Sequence, residues 1–131
     1  MADNKTPDYT TEQYWSSLAN QSLIRFFILK ALKDKDLHGY LLIEEVSQLS
    51  GEFCKPSEST LYPALNQMLK AGLIQKTASE VKTRKTYRIT AEGKIAFKAA
   101  AKVWNEVIPK IQRSAILWSR NLDFRFYSFK L

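Results

Sequence analysis

The sequence has 131 residues, 45% of them hydrophobic, enough for one domain with a real core and an added arm or dimerisation element. Its net charge of +7 has the sign that nucleic-acid partners favour, and a single cysteine, Cys54, excludes an intrachain disulfide and fits a reducing compartment. The first twenty residues are polar and carry Asp3, Asp8 and Glu12, unlike a secretory signal, while the longest apolar run, Leu23 to Leu32, is interrupted by Arg25 and Lys30 and is about half as long as a bilayer span. The expectation is a soluble, cytoplasmic protein with no membrane association.

The charge is unevenly placed. Residues 1–54 hold five basic and eight acidic side chains, a net of −3, whereas residues 55–131 hold fifteen and five, a net of +10. A basic half of this kind suits nucleic acid, although a solvated basic surface is the bland alternative.

Residues 1–9 read as disordered. Thr10 or Thr11 can cap a short helix to about Asn20, with Gln13 completing a capping box if Thr10 is the cap. Tyr14, Trp15 and Leu18 line one face of that helix, which either covers its own domain or reaches across a dimer. Ser22 to Lys33 is apolar nearly all round and is expected to be the central core helix. After the polar turn Asp34–Asp36, Leu37-His38-Gly39-Tyr40 opens another helix to about Leu49, stopped by Ser50-Gly51. His38 is the only histidine, and no cysteine pair or acidic cluster accompanies it, so it reads as a hydrogen-bonding residue at a helix entry with no metal bound. Cys54 reads as an inert thiol rather than a redox switch.

Lys55 to Ile74 is the stretch around which the rest is organised. Leu61, Leu65, Met68 and Leu69 fall on one side of a helix; Ser59, Tyr62, Asn66, Gln67 and Lys70 fall on the other. Ser57 is a good N-cap, Gly72 a good stop, and Pro63 is best tolerated near a helix start. An apolar inner face with a hydrogen-bonding outer face is what a DNA recognition helix needs. Leu73–Thr77 and Arg84–Ile89 then read as two short strands, with Ala78–Thr83 between them. Lys82, Arg84, Lys85 and Arg88 put four positive charges in seven residues, a means of neutralising phosphates without reading sequence.

Thr90 caps a last long helix with Glu92 in its first turn. Its apolar positions Phe97, Ala101, Trp104, Ile108, Ile111, Ala115 and Trp118 alternate in steps of four and three. A 3.5-residue period marks a coiled-coil-like seam, so this face is expected to pack against another chain. Pro109 predicts a kink or break between Asn105 and Pro109, or two helices in place of one. The aromatic tail at 122–131 is expected to dock on its own chain or on the partner. The expected domains are an N-terminal arm and short helix at 1–21, a DNA-binding domain at 22–90, a dimerisation helix at 91–121 and the tail.

Four blocks together resemble the PadR family of transcriptional regulators: Leu37-His38-Gly39-Tyr40; Ser57 to Leu65 around Thr60-Leu61-Tyr62-Pro63; Gly72-Leu73-Ile74; and Arg84-Lys85-Thr86-Tyr87-Arg88-Ile89-Thr90-Ala91-Glu92-Gly93. The resemblance covers about residues 22–118. It implies a mainly α fold with a small β-hairpin, namely a winged helix-turn-helix plus a long C-terminal dimerisation helix. It further implies a homodimeric repressor on an inverted-repeat operator of double-stranded DNA. Ser57, Ser59, Thr60 and Tyr62 would approach the DNA, and Lys82, Arg84 and Lys85 would hold the wing to it. Ser59 stands where the family often has Gly, and Asn66 and Gln67 where it often has basic residues. The electrostatic load is thereby shifted to Lys55, Lys70 and the wing. The dimer would be built by the seam from Phe97 to Trp118, helped by Tyr14 and Trp15. Some members bind aromatic compounds at the interface, and Trp104, with Ile108 beside it, is the candidate for that role here. No cofactor is implied. A winged helix used purely for protein–protein interaction is the alternative function; an enzyme is disfavoured, because there is no Cys–His pairing and no glycine-rich phosphate loop.

Overall fold

The computed structural model describes residues 6–77 and 85–119. Along the chain they form α1 (Glu12–Leu32), β1 (Leu37–His38), α2 (Gly39–Leu49), α3 (Glu58–Lys70), β2 (Ile74–Thr77), β3 (Thr86–Ile89) and α4 (Ala91–Ser119). Two compact units divide after Phe97, inside α4.

The first unit is built on side chains that α1, α2 and α3 turn toward one another. Ile28 and Leu32 from α1, Leu42 and Val46 from α2, and Leu61, Leu65 and Met68 from α3 are closed to solvent. Each such side chain contributes on the order of 1.5–3 kcal/mol on burial. A three-stranded antiparallel sheet in the order β1-β3-β2 completes the unit, with Leu37 opposite Tyr87 and Ile74 opposite Ile89. Ile74, Tyr87 and Ile89 point into the core. The winged helix expected from the sequence is therefore present, and its hairpin gains β1 as a third strand. Leu37 and His38 pair with β3 rather than opening α2, which starts only at Gly39.

One further expectation is corrected, and two that left alternatives open are narrowed. The short first helix and the core helix are one element, and the boundary proposed at residue 21 falls inside it. No Gly or Pro interrupts Asn20-Gln21-Ser22, and the Asn20 and Ser22 side chains donate back to the Ser16 and Ala19 carbonyls. The cap is Thr11, whose hydroxyl accepts the Tyr14 N–H, while Thr10 is held by Asp8; the box between Thr10 and Gln13 does not form. At the other end, α4 carries Pro109 inside a single helix, so the two-helix alternative is not adopted. Proline there removes one N–H and the helical turns on either side continue. The hairpin segment 78–84 and the aromatic tail lie outside the described residues.

The corner between β3 and α4 is tightly tied. Thr90 donates its N–H to the Leu73 carbonyl at 3.0 Å and its hydroxyl to the Gly72 carbonyl at 2.6 Å, and the same hydroxyl accepts the Gly93 N–H at 3.0 Å. Gly93 lies so close that a Cβ there would overlap the Leu73 carbonyl oxygen and approach Ile89 Cγ1 to 2.7 Å. Gly93→Ala should therefore destabilise the fold by about 2–3 kcal/mol, the scale of overpacking a filled site. Urea melts that move by less than a few tenths of that amount would show that the corner can relax.

Candidate nucleic-acid interface

α3 has two faces with different tasks. Leu61, Ala64, Leu65 and Met68 are buried, and at 100° per residue Ser59, Asn66 and Lys70 lie opposite them, exposed. The helix is stopped at Gly72, where the Leu73 N–H bonds to the Met68 carbonyl and the Gly72 N–H to the Leu69 carbonyl, a paired C-terminal closure. At the other end Ser57 occupies the N-cap position, but its hydroxyl makes no capping bond. It lies instead 2.8 Å from the Ser59 hydroxyl and 3.1 Å from that of Thr60. Three exposed hydroxyls thus converge at the entry of the helix, able to donate or accept.

Each flank of α3 is held by another element. On one side the Tyr62 ring lies against Gly39, where a Cβ would come within 2.7 Å of the phenol oxygen; only glycine lets the ring approach. Around this contact is a pocket of about 540 Å³ lined by His38, Gly39, Tyr40, Leu41, Tyr62, Lys85 and Tyr87. His38 caps α2 by position, and its Nδ1 is 3.1 Å from the Thr86 hydroxyl, so it does act as a hydrogen-bonding residue at a helix entry. Lys76, missed in the sequence, belongs here too. Its ammonium is held below the ordinary lysine range by the charge of Lys85, so two cations lie together on the hairpin. On the other flank Arg25 of α1 donates Nη2 to Gln67 Oε1. A smaller cavity of about 260 Å³ lies between α1 and the start of α3, with Asn20, Gln21, Lys55 and Thr60 among its lining residues. Cys54 borders that cavity but is itself buried, and burial pushes its thiol up.

Not every charge counted in the sequence is free. Arg88 forms a two-pronged pair with Asp36, Nε to Oδ1 at 3.1 Å and Nη2 to Oδ2 at 2.7 Å, tying β3 to the turn before β1. Lys55 lies 3.7 Å from Glu52, an exposed pair of little energy. Lys82 and Arg84 fall outside the described residues. Among the described residues, no group of three His, Cys, Asp or Glu side chains could hold a metal, and no helix is long and apolar enough to cross a membrane.

The residues expected at a dimer seam are dispersed between two settings. Phe97 stacks on Phe26 of the same chain at 5.2 Å, so one face of its ring is occupied within the first unit. Tyr14 packs edge-on between Tyr9 and Trp15, and Trp15 donates its indole N–H to the Tyr9 carbonyl. In the second unit Ala101 and Trp104 are half-buried and Ala115 is exposed, while Ile108, Ile111 and Trp118 are 50%, 56% and 84% exposed.

Helices packed as a trihelical core, a helix with a polar outer face and a basic hairpin beside it define a winged helix-turn-helix, a class that offers one helix to the major groove of duplex DNA. Residues 28–99 match the transcriptional regulator PadR-like family, and the chain belongs to it. An uncharacterized protein from Lysinibacillus sphaericus is 32% identical over 83 residues, 61% of this chain and 76% of that one. A transcriptional regulator from Clostridium thermocellum superposes with a TM-score of 0.65 at 28% identity, covering 72% of this chain and 95% of its own. A PadR family transcription regulator from Clostridium difficile gives 0.59 at 26% identity, covering 71% and 98%.

The Asp36–Arg88 pair sets a pH dependence. Hydrogen bonding from Arg88 holds the Asp36 carboxyl below its ordinary value of 3.8. Its contribution is therefore present above about pH 4 and is lost as acid drives the pH down through the lowered native value. Asp36→Asn should lower the melting temperature at pH 7 by no more than a few degrees, the scale of an exposed ion pair, with the gap closing as the pH falls below the ordinary carboxylate value of 3.8. A gap that is constant from pH 7 to pH 2 would assign the effect to something other than this carboxylate.

Proposed function

We propose that this chain is a cytoplasmic, homodimeric transcriptional repressor that sets α3 into the major groove of each half of an inverted-repeat operator. The observation that carries the reading is the row of exposed polar groups along α3, with the lysines of the hairpin brought beside its Tyr62. Ser57, Ser59, Thr60, Asn66 and Lys70 come from α3 or its cap, Tyr62 rests against the start of α2, and Lys76 and Lys85 come from the hairpin. Hydroxyls and amides suit base edges, whereas the lysines suit phosphates. In the pocket that Tyr62 and Lys85 help to line, the Lys85 ammonium and the Tyr62 hydroxyl would be the groups to meet a backbone phosphate.

If a dimer neutralises roughly six to ten phosphates, affinity should fall about a thousandfold or more between 50 and 200 mM salt. Lys85→Ala should weaken all sequences alike and flatten the salt slope by about one for each lysine removed. Fluorescence anisotropy on labelled duplexes measures both. Binding that ignores salt, or no retention of DNA at low salt, would instead favour a winged helix that binds proteins.

Exposed Ile108, Ile111 and Trp118 support a second copy as the cover of α4, with Tyr14 and Trp15 assisting from α1. Ile111→Asp should sediment as a monomer while keeping its helix content; a dimer that persists would place the interface elsewhere. An aromatic effector would lodge at the same seam beside Trp104 and Ile108, and quenching of the wild-type indole fluorescence by such a compound should be lost in Trp104→Phe.

A further inference from the structure

The outer face of α3 carries one amide whose orientation is fixed from outside the helix. Gln67 lies on the flank of that face, exposed, and its Oε1 accepts Nη2 of Arg25 from α1. The orientation is settled by chemistry, because a guanidinium has five donors and no acceptor, so only the amide oxygen can face it. Arg25 is itself exposed.

A free glutamine offers an acceptor and a donor side by side, which is how it matches the N7 acceptor and N6 amino donor of adenine. Gln67 does not offer that pair. Its oxygen is engaged, and an incoming amino group could reach the remaining lone pair only beside the positive guanidinium. What Gln67 still presents is its NH₂ group, two donors. In the major groove guanine (N7 and O6) and thymine (O4) present only acceptors to such donors, whereas adenine accepts at N7 but leaves its neighbouring N6 amino group without a partner, and cytosine presents only an amino donor.

We infer that Arg25 is a positioning residue that makes Gln67 a donor-only reader, selecting a keto base (guanine or thymine) at one position of each half-site. The inference rests on the DNA-binding reading above and adds a residue from α1 to the specificity of α3. A helix outside the helix-turn-helix thereby takes part in base choice without touching the base.

The test is selection of bound duplexes from a random pool by the full chain, as wild type, Arg25→Ala and Gln67→Ala. Both side chains are at the surface, and thermal melts verify that the variants are folded. In the wild type, one position per half-site should be enriched in guanine or thymine. Arg25→Ala should lower that keto preference on the order of tenfold in favour of adenine, leaving the other positions as they were. Gln67→Ala should make the same position indifferent. If Arg25→Ala weakens every sequence equally and shifts no position, Arg25 acts only as a phosphate contact and the inference is overturned. It is overturned as well if Gln67→Ala keeps the wild-type preference at every position. A wild-type pool with no enrichment at all would overturn the DNA-binding reading, and this inference with it.

Discussion

The first unit depends on the burial of one face of α3. Leu61, Leu65 and Met68 are closed to solvent against the core side chains of α1 and α2, and this seal fixes both the depth and the rotation of the helix. A rotation by one residue, 100°, would turn Tyr62 and Asn66, or Thr60 and Gln67, into the places that Leu61, Leu65 and Met68 now fill. The polar outer face is therefore set by the apolar inner one. Ser59, Asn66 and Lys70 face outward because the leucines cannot.

The flanking contacts then limit what that face can do. Tyr62 is held on Gly39 and Gln67 on Arg25, so two of the outward side chains have their orientation fixed before any partner arrives. Groups ordered in advance lose less entropy on binding, and an amide with one end engaged discriminates more sharply than a freely rotating one. The paired lysines of the hairpin act in the opposite way. Lys76 and Lys85 repel each other in the free protein, and a phosphate between them would relieve that repulsion.

Much of this is legible in the sequence, because it is local. The two faces of α3, the Gly72 stop, the Thr90 cap and the strands β2 and β3 each follow from residues within a few positions of one another. The departures arise where distant residues meet. Leu37-His38 is too short to read as a strand, and it becomes one only because β3 lies alongside. Arg88 counts as a wing cation until Asp36, far away in sequence, engages it on both oxygens. The same applies to Arg25, which looks like a blemish in an apolar helix and turns out to reach the recognition face. Lys76 escapes notice because it lies in the other strand from the basic cluster, at a distance only the hairpin closes.

The first helix has two halves in different surroundings. Its buried residues, Ile24, Ile28, Leu29, Ala31 and Leu32, all lie in its second half. The first half instead exposes Trp15 and Leu18, and Tyr9, Tyr14 and Trp15 are packed on one another. A helical stretch of about eleven residues would be marginal alone in water. Here it is nucleated by the buried half, to which it is joined without a break, and that continuity makes it a rigid extension rather than an arm. Any partner that covers Trp15 and Leu18 would therefore act on the same rod that carries Arg25.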